Sequence, residues 1–113
     1  MKTQNIFQTE KSFSVSEPEI VEKLHEAMSA NINDLTIERI ISAGQVSPEN
    51  FWYDQQTNEW VVLLQGNALI EFDNAGITEL EAGNYLFIPA HRRHRIIFTS
   101  SAPPCVWLAV HYK

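Results

Sequence analysis

Three of the four histidines lie in the second half of the chain, and two of them are close together. His91 and His94 occur in the run PAHRRHR, and His111 lies near the end of the sequence. A turn between positions 91 and 94 would bring both imidazoles near one point, where they could bind a metal ion or a ligand. The arginines beside them could bind a carboxylate or phosphate group of a ligand. The same run is also typical of a solvated turn, so both interpretations stay open.

Aromatic residues are concentrated in the segment 51–60 and in the last apolar run. Most of them are expected to fill the interior of a β protein. Some could instead line an apolar pocket that contains a few convergent polar groups, the usual composition of a ligand site. Trp107 and His111 are four residues apart in an expected strand, so they share one face, and with Tyr53 they are our candidate pocket residues.

Short β-strands are expected to position these side chains from Leu35 onward. Runs of apolar and β-branched residues alternate with turn residues, and the Gly66-Asn67 pair predicts a two-residue hairpin between two of the runs. Seven or eight short strands with regular turns indicate a sandwich or barrel and exclude a βαβ fold. The runs are LTIERIIS, WVVLLQ, ALIEFD, ITEL, YLFIP, RIIFTS and CVWLAVHY.

The first 34 residues predict a different element. Ser16 is a candidate N-cap, Pro18 fits the first turn, and Glu19 completes a capping box. Helical spacing then places four apolar residues on one stripe, namely Ile20, Leu24, Ala27 and Met28. We therefore predict an N-terminal segment, 1–34, with one amphipathic α-helix at about residues 17–29 that packs on a barrel formed by residues 35–113.

Composition limits the class of protein. With 113 residues the chain is long enough for one domain, and its 44% apolar residues suit a globular protein. A net charge of −6 argues against nucleic acid or an anionic membrane as the main partner. The single cysteine, Cys105, excludes an internal disulfide and is expected to be a small buried residue. We find no signal peptide or membrane-spanning segment, so we expect a cytoplasmic protein.

Two spaced patterns resemble the motifs of the cupin superfamily. The second cupin motif runs Gly, five residues, Pro, any residue, Gly, two residues and His, and here Gly83, Pro89 and His94 keep that spacing, with His91 in place of the second glycine. The first cupin motif ends in Glu, six residues and Gly, which Glu59 and Gly66 match. The chain also resembles a subgroup of small bacterial cupins with a WYDQ…EWV…PAHRRHR pattern. The resemblance covers roughly residues 35–112 and implies an all-β, jelly-roll barrel.

The same resemblance implies a divalent metal ion, such as Fe, Mn, Ni or Zn, bound by three histidines and one glutamate. Glu59 and His94 match two of these ligands, but the histidines of the first motif are absent. Asp54 or Gln55 would replace one of them, and period two along a strand allows only one of these two to face the interior. An inward Asp54 would give an oxygen-rich set suited to Mn or Fe, whereas an inward Gln55 would favour a loosely held ion or a metal-free pocket. His91 could supply a further nitrogen.

The expected function is therefore that of a small cupin with a divalent-metal site that acts on or binds a small organic molecule. The alternative is a metal-free cupin that binds a small ligand without catalysis. In that case Glu59 would accept a hydrogen bond and fix one tautomer of His94. Cupins commonly pair, so a homodimer is also possible.

Overall fold

Two antiparallel sheets make up the architecture of this chain. The computed structural model describes residues 1–8, 17–29 and 32–113, and within them eight strands form a five-stranded sheet in the order β1-β2-β8-β3-β6 and a three-stranded sheet in the order β5-β4-β7. The strands are β1 Ile20–Ser29, β2 Ile32–Ser42, β3 Asn58–Gln65, β4 Asn67–Phe72, β5 Gly76–Glu81, β6 Tyr85–Ile88, β7 His94–Thr99 and β8 Cys105–Tyr112. The predicted all-β architecture is confirmed.

The predicted N-terminal helix is wrong. Residues 20–29 form β1, which pairs antiparallel with β2 from Ile20 opposite Ile41 to Ser29 opposite Ile32. Pairing with β2 satisfies the backbone groups of this segment along most of its length, and this tertiary partner outweighs a local helical pattern that includes the β-branched residues Ile20 and Val21. The proposed N-cap, Ser16, lies outside the described residues. The expected boundary at residue 34 falls inside β2, so the N-terminal segment contributes a strand to the larger sheet.

The predicted hairpin at Gly66-Asn67 is also wrong. β3 belongs to the five-stranded sheet and β4 to the three-stranded sheet, so the chain crosses between sheets at this point. Gly66 has a φ of 93° and packs against Ser100 and Cys105. The backbone N–H of Asn67 donates to Ser100 Oγ at 3.0 Å, and the N–H of Ser100 donates to the Asn67 carbonyl at 2.9 Å. These contacts tie the crossing to the loop that precedes β8.

The core lies between the two sheets. Its members alternate along the strands with half-buried or exposed residues, as expected for sheets that each turn one face inward. The buried members are Val61, Leu63, Ala68, Ile70, Leu80, Ile88, Cys105, Trp107 and Ala109. Cys105 is fully buried, as its sequence context predicts. Along β3 the inward positions are Glu59, Val61 and Leu63, so an ionisable residue occupies the first position of an otherwise apolar series.

Candidate binding site

A cavity of about 200 Å³ opens into the space between the two sheets. Strands of both sheets contribute to its wall, together with the loop that precedes β3. Its apolar wall consists of Val21, Ile40, Val61, Ile70, Ile88, Ile96 and Trp107. Its polar wall consists of Glu19, Glu38, Ser42, Tyr53, Gln55, Glu59, His94 and His111. An apolar cavity with a small number of converging polar groups is the usual form of a small-molecule site.

Register places the polar groups of this cavity on neighbouring strands. Glu59 on β3 lies directly opposite His111 on β8, so the two side chains leave the sheet on the same face. His94 is the first residue of β7 and is 5% exposed. Tyr53 is held beside it by two backbone hydrogen bonds, one from Tyr53 N–H to the His94 carbonyl at 2.7 Å and one in return at 3.2 Å. Their rings are stacked with centroids 5.4 Å apart.

The orientation of His94 determines which ring nitrogen is available. Its Nδ1 lies 2.8 Å from the carbonyl oxygen of Arg92. Because a carbonyl oxygen only accepts, Nδ1 carries a proton, and in the neutral ring Nε2 is left with a lone pair. The tautomer is therefore set by a main-chain carbonyl, and a hydrogen bond donated by His94 to Glu59 is not needed for this purpose.

Glu59 is a buried acid of the cavity whose pKa is raised. It is 7% exposed, and its carboxyl group has no hydrogen-bond partner among the described residues. Burial raises its pKa above the ordinary value of 4.5, His111 and His94 oppose that rise, and Glu38 adds to it. The pKa of Tyr53 is also raised, mainly by burial and then by Glu19 and Glu59. Tyr53 is thus a neutral phenol, whereas Glu59 holds its proton to a higher pH than an exposed glutamate does.

Two further carboxylates line the cavity and were not among the predicted site residues. Oε1 of Glu38 lies 2.8 Å from Nε2 of His111, and Oε2 of Glu19 accepts a hydrogen bond from the Ser42 hydroxyl at 2.9 Å. Period two within the run LTIERIIS could have placed Glu38 on the same face as Ile40 and Ser42. The sequence pattern predicts Glu19 in the cap of a helix, and only the position of β1 beside β2 brings it to the cavity.

The predicted metal ligands are divided between two places. Gln55, Glu59 and His94 line the cavity, so of the alternative pair Asp54 and Gln55 it is Gln55 that faces inward. Asp54 and His91 lie outside it and contact each other, with Nδ1 of His91 2.7 Å from Oδ1 of Asp54 and side chains 66% and 51% exposed for His91 and Asp54, respectively. The predicted pocket residues Tyr53, Trp107 and His111 all line the cavity.

Backbone geometry explains the position of His91. Its φ is 64°, in the left-handed region that glycine adopts without cost, and glycine is the usual residue at this point of the motif that the sequence resembles. The N–H of His91 donates to the Gln55 carbonyl at 2.7 Å, which holds the turn against the segment before β3. This conformation places the imidazole on the outer surface, and the unusual histidine therefore adds no nitrogen to the cavity.

The cavity does not fit the four-ligand metal site that the resemblance implies. Three residues separate Gln55 from Glu59, so Tyr53 and Gln55 occupy the positions of the two histidines of the first motif. A neutral phenol and an amide are weak ligands for Fe, Mn, Ni or Zn, which leaves only Glu59 and His94 of the usual set. Within the described residues, no group of three His, Cys, Asp or Glu side chains is arranged to hold a metal ion.

The arginines of PAHRRHR are engaged outside the cavity. Nη1 of Arg92 donates to the Asp73 carbonyl at 3.0 Å, and its guanidinium lies 5.3 Å from the Phe72 ring. Arg93 pairs with the Asp73 carboxylate at 3.2 Å. The guanidinium groups of Arg93 and Arg95 lie 5.6 and 5.7 Å from the Trp52 ring. None of these three arginines lines the cavity.

Comparison with known proteins gives matches of two kinds. Residues 38–111 match the cupin domain family. A structure from Ralstonia eutropha JMP134, provisionally named a mannose-6-phosphate isomerase, is 40% identical, with 100% of this chain and 99% of that chain covered and a TM-score of 0.80. No curated protein matches the sequence.

More distant structures share the fold alone. The polyketide cyclase RemF from Streptomyces resistomycificus is 19% identical, covering 99% of this chain and 79% of that chain, with a TM-score of 0.70. HppE, in a structure with Fe(II) and substrate, is 18% identical, covering 68% of this chain and 45% of that chain, with a TM-score of 0.56. As for membranes, the described residues contain no helix that is long and apolar enough to cross one.

Proposed function

Since this chain belongs to the cupin family, we propose that it binds a small organic molecule in the barrel cavity through direct contacts, without a metal ion. The observation that supports this most is Glu59, a carboxyl group that is 7% exposed, faces the cavity and has no hydrogen-bond partner among the described residues. Burial of this carboxyl group disfavours its charged form, and a ligand group that bonds to it recovers part of that cost. The apolar wall would take the body of the ligand.

The nature of the polar wall supports direct binding over metal binding. The resemblance to cupins favours a divalent metal, but Tyr53 and Gln55 stand where two of its histidines are expected. Both of these side chains can donate and accept hydrogen bonds to an organic ligand while remaining neutral. His94 adds Nε2 as a third contact of fixed orientation.

Metal analysis tests the metal-free part of the proposal. Protein purified without added metal is analysed by inductively coupled plasma mass spectrometry, with His94→Ala and Glu59→Ala in parallel. We expect far less than one metal ion per chain in all three proteins. The native protein should still bind fragments after treatment with EDTA. Near-stoichiometric metal in the native protein, lost in both variants, would overturn the metal-free proposal and restore the metal-site hypothesis.

A matched pair of variants tests the location of binding. Val61 and Val62 are adjacent on β3, but Val61 lines the cavity and Val62 does not. Val61→Phe should abolish the binding of fragments detected by ligand-observed NMR, and Val62→Phe should retain it. Val21→Phe, at a half-exposed position of the cavity wall, repeats the test without overfilling the core. Fragments that bind all three variants as well as the native protein would place binding elsewhere.

A second candidate function is proton transfer, and the raised pKa of Glu59 favours it. A carboxyl group that changes protonation nearer to neutral pH, beside two imidazoles, is a common arrangement in acid–base catalysis. The name of the relative from Ralstonia eutropha points to isomerisation, a reaction class that moves protons. Incubation with hydroxyacetone in D₂O, followed by NMR, should show deuterium entering next to the carbonyl with native protein and not with Glu59→Gln. Equal exchange in both proteins would exclude this function for Glu59.

The proposed partner is thus a small molecule, with neither nucleic acid nor membrane. Formation of a homodimer and a cytoplasmic location stay predictions.

A further inference from the structure

The ionisable groups of the cavity wall are mainly acidic. Three glutamates line it, whereas none of the described lining residues is a lysine or an arginine. Among the described residues of the wall, only the imidazoles of His94 and His111 can become positive. A ligand inside this cavity therefore meets more carboxylate than cationic charge.

Two of the three carboxylates already have partners, and the third does not. Glu38 lies 2.8 Å from His111, and Glu19 accepts a hydrogen bond from the neutral Ser42 hydroxyl. Glu59 lies between β6 and β8 in the sheet, is 7% exposed and has no hydrogen-bond partner among the described residues. Since a buried carboxyl group is stabilised by a charged donor more than by a neutral one, the complementary ligand group at Glu59 is a cation.

The remaining wall suits the rest of such a ligand. Tyr53 and Trp107 line the cavity, and aromatic rings attract organic cations that have lost their water. The aliphatic wall accommodates an apolar body next to the charged group. A cavity of about 200 Å³ limits that body to about the size of one small ring with a short arm.

The same arrangement disfavours anionic ligands. Arg92 and Arg93 bind the main chain and side chain of Asp73, and Arg95 lies over Trp52 on the outer side of the three-stranded sheet. A phosphate or carboxylate group in the cavity would thus face Glu19, Glu38 and Glu59 without a guanidinium or ammonium partner. Negative charges that share one poorly solvated cavity repel each other, and this repulsion opposes the binding of an anionic ligand.

We infer that the cavity selects a small organic cation, a protonated amine on an apolar body, and rejects phosphorylated and carboxylated molecules. This inference rests on the proposed function, because it names the class of ligand that the same cavity takes. It separates this chain from the phosphorylated sugar in the name of its relative from Ralstonia eutropha.

Four probes of known charge test the inference by NMR titration of the ¹⁵N-labelled protein at pH 7. They are benzylamine, benzyl alcohol, phenyl phosphate and mannose 6-phosphate. Benzylamine should bind about tenfold or more tightly than benzyl alcohol, because the two differ mainly in the charge that meets Glu59. Phenyl phosphate and mannose 6-phosphate should show no saturable binding in the cavity.

Charge-neutralising variants complete the test. Glu59→Gln keeps the shape of the side chain and should weaken benzylamine about tenfold or more while changing benzyl alcohol about threefold at most. Glu79→Gln removes the same charge from an exposed position on β5 that does not line the cavity, and it should change neither probe.

The outcomes distinguish this inference from the proposed function. Binding of benzyl alcohol or phenyl phosphate as tight as that of benzylamine, with shifts at cavity residues, would overturn the selection for a cation and leave the binding function standing. Equal losses of benzylamine in Glu59→Gln and Glu79→Gln would overturn the role of Glu59. No shift at any cavity residue with any of the four probes would overturn both the inference and the proposed function.

Discussion

The crossing between the two sheets at Gly66 should not tolerate a side chain. A methyl group at Gly66 would stand 2.7 Å from Ser100 Oγ and 2.9 Å from both Cα and Sγ of Cys105. Gly83 provides a matched control, because its φ of 94° is close to the 93° of Gly66 and a methyl group there meets nothing within 4 Å. Alanine at either position adopts an unfavourable backbone conformation at a cost of about 1–2 kcal/mol. Only Gly66→Ala also forces atoms together.

The difference between the two variants measures this steric cost. Ser100 Oγ can rotate away, but Cys105 Cα belongs to the backbone of β8, which pairs with β2 and β3 on either side. Overfilling a packed interior costs about 1–3 kcal/mol, so Gly66→Ala should lose about 2–5 kcal/mol in all and Gly83→Ala about 1–2 kcal/mol.

Urea denaturation followed by tryptophan fluorescence measures both values, provided that the slopes of the transitions agree. A loss of stability in Gly66→Ala no greater than that in Gly83→Ala would refute the close approach of β8 to the crossing. It would also bring back the predicted hairpin, in which this glycine would face solvent.

Two further predictions concern the cavity and the turn beside it. Glu59→Gln should increase the free energy of unfolding relative to the native protein at neutral pH and progressively less toward pH 4. The folded-state pKa of Glu59 lies above its ordinary value of 4.5, so the folded protein holds more protons than the unfolded chain in this window and loses stability as pH rises above 4.5. Urea denaturation at several pH values checks this, and parallel pH profiles for the two proteins would contradict it. His91→Gly should be about 1 kcal/mol more stable than His91→Ala, because both lose the exposed contact with Asp54 and only glycine relaxes the φ of 64°. Both variants should bind cavity ligands like the native protein, and weaker binding in either would show that His91 contributes to the site.

Local patterns were sufficient for much of the β structure. Alternating apolar residues and turn residues predicted the strands from Leu35 onward, and the buried state of Cys105 followed from the apolar run around it. The spacing of Gly83, Pro89 and His94 indicates the family, because Gly83 has the positive φ of a turn and His94 begins the strand that follows. A spacing within one short segment is visible in the sequence.

The remaining features depend on partners that are distant in sequence. β1 is a strand because β2 lies beside it, and the Gly66 turn is a crossing because Ser100 and Cys105 hold it between the sheets. A periodic pattern alone does not specify which partner a segment will find.

In the candidate site, too, some features follow from the local sequence and others depend on partners that are distant in the sequence. The sequence by itself determined that Glu59 and His94 occur at cupin spacing and that Tyr53 and Gln55 alternate with Trp52 and Asp54. Only the tertiary structure decided that Gln55 faces inward, and that Glu19, Glu38 and His111 join the cavity. The physical reason is that the charge of a cavity is summed over strands that meet only after the sheets have formed, whereas a motif reports on one strand at a time.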